Sequence, residues 1–115
     1  MSHRDDTLYL GHMFDAGRWI QQRLVAVTKD QFDSNMDLRL AVTHQLQVIG
    51  EAARCVSETA RQASPGIPWR LITGMRHRIV HDYVNVDFET VWSTATQDIP
   101  PLVAELAKLI PIEPS

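Results

Sequence analysis

Residues 38–60, LRLAVTHQLQVIGEAARCVSETA, contain a periodic stripe of apolar side chains that is longer than the stripe that precedes it. Apolar side chains recur there at gaps of three and four residues, the spacing that lines one face of an α-helix: Leu38, Val42, Leu46, Ile49, Ala53, Val56 and Ala60. Gly50 and Ala53 are small enough to let a neighbouring helix approach closely. The stretch therefore predicts a long helix that packs against at least one other helix.

A stripe of the same period precedes this stretch. Apolar side chains line one face between Tyr9 and Val27, and Asp5 or Asp6 is available as the N-cap of that helix. The period is lost over residues 28–34, where polar turn-forming residues predict a loop. The first half of the chain is therefore expected to be two long helices with a short connection.

Two more helices are predicted in the second half. A turn at residues 64–66 precedes a third helix, which we expect to run from Trp69 into the low eighties. Asp87 is a natural N-cap for a fourth helix, which the pair Pro100-Pro101 should kink or split.

The complete pattern predicts an all-α protein. No segment alternates apolar and polar side chains with a period of two, so no strand is predicted. Four to five amphipathic helices with short connections indicate an up-and-down bundle. The 115 residues have room for one helical domain, 1–115, and we expect residues 110–115 to be a flexible tail.

Composition excludes several classes of protein. Hydrophobic residues make up 44% and charged residues 22% of the chain, and no apolar run approaches the roughly 20 residues of a membrane span. The polar residues at the start lead into no apolar run with a small-residue cleavage site, so we expect no secretory signal. We therefore expect a cytoplasmic protein that does not contact the membrane. The net charge of −3 argues against a protein that coats nucleic acid by bulk electrostatics. A lone cysteine, Cys55, excludes an intramolecular disulfide and is interpreted as a buried thiol.

The densest group of reactive side chains lies in residues 74–83, GMRHRIVHDY. Two arginines, two histidines and a tyrosine occur within the last eight positions of this segment. Residues 69–83 carry three arginines and one aspartate, a local charge of +2 in a chain of net charge −3. An anion site is therefore expected here.

These side chains suit attack on a phosphodiester. A guanidinium offers a planar fork of donors to phosphate oxygens, and an imidazole can accept and donate a proton near neutrality. RNA supplies its own nucleophile, the 2′-hydroxyl, so the reaction needs no metal and no cofactor. A histidine of this segment is therefore suited to the proton transfer, and an arginine to binding of the phosphate.

Helix geometry then predicts a homodimer. If residues 76–83 were helical, the side chains of Arg76 and His81 would point about 140° apart, whereas Tyr83 would lie within about 20° of Arg76. One helix therefore converges poorly on a single phosphate. Two copies that cross about a two-fold axis would bring Arg76 and His81 into a shared cleft.

The same segment resembles the HepT-like family of HEPN domains. The resemblance rests on Arg76-x4-His81-x-Tyr83 and on flanking residues along most of the chain: Tyr9-Leu10, Ile49-Gly50-Glu51-Ala52, Pro68-Trp69-Arg70, Gly74-Met75, Val86-Asp87 and Val91-Trp92. It implies a dimeric four- or five-helix bundle in which Arg76 and His81 are the catalytic pair of a metal-independent endoribonuclease. On this resemblance we expect His81 to transfer protons and Arg76 to bind the scissile phosphate, and we expect His77 and Arg78 to help hold RNA. His77 departs from the pattern, because family members usually carry another polar residue there, often asparagine.

The resemblance also implies a partner. Proteins similar to this one are toxins of type VII toxin–antitoxin systems, each paired with a small MNT-type nucleotidyltransferase that transfers AMP to the tyrosine of the motif, here Tyr83. The added phosphate and base would fill the RNA cleft and occupy Arg76.

Other interpretations remain open from the residues alone. The same cluster suits a non-catalytic module that binds a nucleotide or docks onto the nucleotidyltransferase, or a purely structural helical dimer. His77 and His81, four residues apart, also have the spacing of a zinc pair on one helix face. Outside the cluster, His12 and His44 are interpreted as isolated surface residues, and Glu51 as hydrogen-bonded to a neighbouring helix.

Overall fold

The computed structural model describes residues 3–82 and 84–110, without the side chains of residues 3 and 4. Eight α-helices and one π-helical segment are found in these ranges: α1 His3–Leu24, α2 Lys29–Asp33, α3 Met36–Cys55, α4 Glu58–Gln62, α5 Trp69–Thr73, α6 Met75–Ile79, α7 Phe88–Ser93, the π segment Thr94–Asp98 and α8 Ile99–Ala107. The predicted all-α class is confirmed. Within the described ranges there is no strand, only one antiparallel bridge between Val80 and Val86. Residues 111–115 of the predicted tail, and Tyr83, lie outside these ranges.

The core is formed where α1, α3 and α8 meet. Met13 and Ile20 of α1, Leu46 and Ile49 of α3, and Leu106 of α8 are completely buried. None of the helices described in these ranges is both long and apolar enough to cross a membrane.

Glycines permit two close approaches in this core. A Cβ added at Gly17 of α1 would lie 2.6 Å from Val103 Cγ2 of α8, so a larger side chain would force the two helices apart. A Cβ at Gly50 of α3 would lie 3.2 Å from the carbonyl oxygen of Ile72 in α5. The expectation that Gly50 lets a neighbouring helix come close is confirmed.

The beginning of α1 differs from the prediction. Asp6 is buried within α1, and its two carboxylate oxygens accept hydrogen bonds from the backbone N–H and the hydroxyl of Ser57, at 2.8 and 2.7 Å. Ser57 is itself the N-cap of α4. Asp6 therefore ties the first turns of α1 to the end of α3 and the start of α4.

Residues 28–34 are also more ordered than the predicted loop. Thr28 and Gln31 form a reciprocal capping box at the start of α2. Phe32 of α2 is completely buried, and its ring packs against Trp92 with 4.9 Å between the ring centroids. The connection therefore contributes a large aromatic side chain to the core.

The predicted third helix is wrong in length and continuity. It consists of two five-residue helices that meet at Gly74, and the second ends at Ile79. Val80 has extended backbone angles, φ −118° and ψ 108°, and pairs with Val86. Asp82 explains the early end, because its carboxylate bonds the backbone N–H of Val84, which gives the chain an alternative to further helical hydrogen bonds.

The predicted fourth helix changes its hydrogen bonding without a break in backbone conformation. Ser93, Thr94 and Ile99 all keep right-handed helical angles where α7, the π segment and α8 join. Pro100 follows directly in the first turn of α8. Because proline lacks an N–H and crowds the carbonyl four residues earlier, the wider π turn accommodates it.

Two glycines of α1 provide a matched test of the close crossing. Nothing lies within 4 Å of a Cβ added at Gly11, so Gly11→Ala should raise the free energy of unfolding by about 0.5–1 kcal/mol through helix propensity. Gly17→Ala should lower the free energy of unfolding by about 1–2 kcal/mol, because the cost of overpacking against Val103 exceeds the gain in helix propensity. Urea unfolding of both variants measures the difference, and equal stabilisation by the two would refute the crossing.

Candidate active site

Arg76 is directed outward by the two buried residues of its own short helix. Met75 and Ile79, one turn apart on α6, are 2% and 0% exposed, while Arg76 is exposed. The side chain of Arg76 makes no hydrogen bond or ion pair with any other described residue, so none of those residues occupies its guanidinium donors.

Arg76 lines a groove of about 560 Å³ together with residues of α1 and α3. We call it the Arg76 groove, and its lining residues are Tyr9, His12, His44, Gln47, Val48, Glu51, Ala52, Cys55 and Arg76. The groove therefore combines one guanidinium, one carboxylate and two imidazoles with an apolar floor.

His81 lies in a turn and not on a helix. Its backbone N–H donates to the carbonyl of Asn85 at 2.9 Å, and the N–H of Asp87 donates to the carbonyl of Ile79 at 2.8 Å. The angle of about 140° expected between Arg76 and His81 on one helix therefore does not apply. His81 is exposed and does not line the Arg76 groove within one chain.

Two carboxylates stand near His81. Hydrogen bonds from the Val84 N–H and the Asn85 side chain lower the pKa of Asp82, and the charge of His81 contributes. The backbone N–H and the hydroxyl of Thr90 lower the pKa of Asp87, again with a contribution from His81. Both aspartates are therefore charged at neutral pH; the Asp82 carboxylate closes the turn that follows His81, and the Asp87 carboxylate caps the start of α7.

The second histidine and the second arginine of the cluster, His77 and Arg78, lie outside the Arg76 groove. His77 is exposed on α6 and does not line the Arg76 groove. Arg78 lines a separate groove of about 530 Å³ beside Trp69 and Leu71. Its Nε and Nη2 atoms are buried and have no hydrogen-bond partner among the described residues. The structure therefore places Arg76 and Arg78 in different grooves.

The zinc interpretation loses its geometric basis, because His77 is on α6 and His81 has left the helix. In the described ranges no three His, Cys, Asp or Glu side chains are grouped as metal ligands would be. Tyr83, the expected AMP acceptor, lies outside the described residues.

Sequence reasoning missed most residues of the Arg76 groove. His12 and His44, interpreted as isolated surface residues, share the groove with Arg76. Glu51 is exposed and its carboxylate makes no hydrogen bond to another described residue, so the expected bond to a neighbouring helix is wrong. The available signal was helical spacing, since His44 and Glu51 are seven residues, about two turns, apart on α3.

These features define a class of protein: a helical bundle with an exposed arginine on a short helix and a histidine in the following turn. A family model described as ribonuclease HepT-like matches residues 13–109, and the chain belongs to this family. A Thermococcus cleftensis protein named "Probable ribonuclease HepT" is 32% identical over 108 residues, which cover 94% of this chain and 96% of that protein. A Methanocaldococcus jannaschii protein named "Putative RNase MJ0125" is 37% identical over 91 residues, which cover 76% and 78%. No solved structure matches.

The carboxylate of Asp87, which caps α7, predicts a pH-dependent contribution to stability. Because the folded pKa of Asp87 lies below its ordinary value of 3.8, its contribution is complete above that value and is lost as the pH falls through the folded pKa. Asp87→Ala should lower the melting temperature by a few degrees at neutral pH. Thermal unfolding followed by circular dichroism should show this difference shrinking below about pH 4. A difference that widens in acid would contradict the assignment.

Proposed function

We propose that this protein is a metal-independent endoribonuclease of the toxin type. Membership of the ribonuclease HepT-like family, together with an unpaired Arg76 on an open groove, is the observation that supports this function most strongly. The names of its relatives agree with it, since both describe RNA-cleaving enzymes.

In the proposed reaction the 2′-hydroxyl of RNA attacks the adjacent phosphorus atom. His81 transfers the proton, either from the 2′-hydroxyl or to the leaving 5′-oxygen, and Arg76 binds the phosphate oxygens as negative charge develops. The products carry a 2′,3′-cyclic phosphate and a free 5′-hydroxyl. Proton transfer of this kind contributes about 10² to 10⁴ in rate and a positioned donor about 10² to 10³.

We propose that two copies form the complete site. Within one chain Arg76 lines the groove and His81 does not. A symmetric dimer can place the Arg76 of one copy and the His81 of the other beside one phosphate. His77 is exposed beside Arg76 on α6 and remains available to RNA, whereas Arg78 would contact RNA only outside the Arg76 groove.

We further propose that an MNT-type nucleotidyltransferase neutralises the protein by modifying Tyr83. The phenol oxygen of Tyr83 would attack the α-phosphorus of ATP, pyrophosphate would leave, and the phenol proton would pass to solvent. Position 83 lies two residues after His81. An AMP group there adds negative charge and bulk beside the proposed acid–base residue, which disfavours RNA binding.

The first test replaces each member of the proposed catalytic pair. Arg76→Ala should lower the rate of RNA cleavage about 10² to 10³-fold and His81→Ala about 10² to 10⁴-fold, because each removes one contribution to the transition state. Cleavage by the unchanged protein should persist in EDTA, and end-group analysis should find 2′,3′-cyclic phosphate. Arg23→Ala, an exposed arginine at the end of α1, is the matched control.

Mixing the two inactive variants tests the shared cleft in the same assay. A dimer of Arg76→Ala with His81→Ala retains one guanidinium and one imidazole in that cleft, so partial cleavage should return. Cleavage that needs a metal, or that also cuts a substrate without the 2′-hydroxyl, would exclude the mechanism. Tight nucleotide binding without any cleavage would favour the non-catalytic module instead.

The second test concerns the partner. Co-expression with an MNT-type nucleotidyltransferase should add whole AMP units to the intact mass of the protein, and Tyr83→Phe should remove them. Phenylalanine keeps the ring but lacks the accepting oxygen. Addition of AMP that persists in Tyr83→Phe would show that another side chain is the acceptor.

A further inference from the structure

The floor of the Arg76 groove has two parallel stripes on α3. Val48, Ala52 and Cys55 follow one another at gaps of four and three residues and form an apolar stripe. A polar stripe lies beside it, formed at gaps of three and four residues by His44, Gln47 and Glu51. All six residues line the groove. One half of the groove is therefore suited to a flat apolar surface and the other half to a hydrogen-bonding edge.

The two stripes lie at different distances from α6. Gly50 marks the direction of α5 and α6, because it faces Ile72 and Met75. Viewed down the axis of a regular helix, the direction of Gln47 is about 60° from that of Gly50, and the direction of Val48 is about 160° from it. The polar stripe is therefore on the side of Arg76, and the apolar stripe is on the side of α1.

Aromatic rings border the apolar side. Tyr9 and His12 of α1 line the groove, and their ring centroids are 6.0 Å apart with the planes at 86°. Aromatic rings beside an apolar floor provide the stacking surface on which proteins hold unpaired nucleic acid bases.

Opposite charges in the same groove orient a ligand. Neither the side chain of Arg76 nor that of Glu51 makes a hydrogen bond or an ion pair with another described residue. Arg76 attracts a phosphate, whereas Glu51 repels a phosphate and accepts hydrogen bonds from N–H groups. A ligand that carries a phosphate at one end and N–H donors at the other satisfies both.

Among the four RNA bases, guanine alone has two adjacent donors, N1–H and N2–H, on its Watson–Crick edge. An ionised carboxylate only accepts hydrogen bonds, and its two oxygens can pair with these two donors. On adenine, cytosine or uracil one of its oxygens would face an acceptor atom instead, which is unfavourable. We propose that the Arg76 groove binds the nucleotide on the 5′ side of the scissile phosphate and that Glu51 makes guanine the preferred base. This inference rests on the proposed ribonuclease function, which supplies the scissile phosphate at Arg76.

Nucleotide binding to the full-length protein tests the proposal without cleavage. Guanosine 3′-monophosphate carries the base and the 3′-phosphate of the proposed nucleotide, and uridine 3′-monophosphate is the comparison ligand. Titration calorimetry should find the guanine nucleotide bound more tightly. Glu51→Gln should weaken binding of the guanine nucleotide about 10- to 100-fold and change the affinity for the uridine nucleotide by no more than about twofold. Glu58→Gln, an exposed glutamate on α4, is the matched control and should change neither.

A second variant separates stacking from reading of the base edge. Tyr9→Leu keeps an apolar side chain against the core but removes the ring, so it should weaken the binding of both nucleotides by a similar factor. Equal affinity of the two nucleotides for the unchanged protein, or an unaltered preference in Glu51→Gln, would overturn the proposal.

The remaining outcomes distinguish this inference from the ribonuclease function. RNA cleavage without guanine preference would leave the function standing and refute the groove assignment. Guanine-selective binding without cleavage would support the groove and refute the ribonuclease. If Glu51→Gln changes dimerisation in sedimentation velocity but not nucleotide affinity, a second copy of the chain covers the groove and the proposal is wrong.

Discussion

The proposed site depends on the burial of two side chains, Met75 and Ile79, against the core. A helix as short as α6 is not stable in water by itself, because helix nucleation costs more than one turn of hydrogen bonds returns. Its position is therefore set by tertiary packing, and the close approach at Gly50 allows that packing. Since Arg76 follows Met75 directly, the same contact that seats the helix fixes the direction of the guanidinium.

The long helices could be predicted from the sequence because their apolar period is sustained over several turns. The stripe through Leu46 and Ile49 corresponds to α3, and both residues are completely buried. The short elements could not be found in this way, since five residues hold little more than one turn. For α2 the capping pair Thr28 and Gln31 was a usable sequence signal, and the loss of apolar period concealed it.

The end of α6 shows why the candidate site was only partly predictable. Ile79 and Val80 continue an apolar pattern, so period alone extends the helix to His81. The helix ends earlier because the carboxylate of Asp82 accepts hydrogen bonds from the backbone N–H groups of Val84 and Asn85, which compete with helical hydrogen bonds. The meeting of α1, α3 and α6 at one groove depends on how distant elements pack, which the spacing of His12 or Glu51 along its own helix does not specify.

Arg76 and His81 are attached to the protein in different ways. The backbone of Arg76 lies between two core anchors, whereas His81 begins a turn whose other end is fastened at Asn85 and Asp87. Gain or loss of a residue inside that turn would change how far the imidazole reaches and leave the guanidinium where it is. The length of this turn thus sets the position of His81 relative to Arg76 independently of the packing of the bundle.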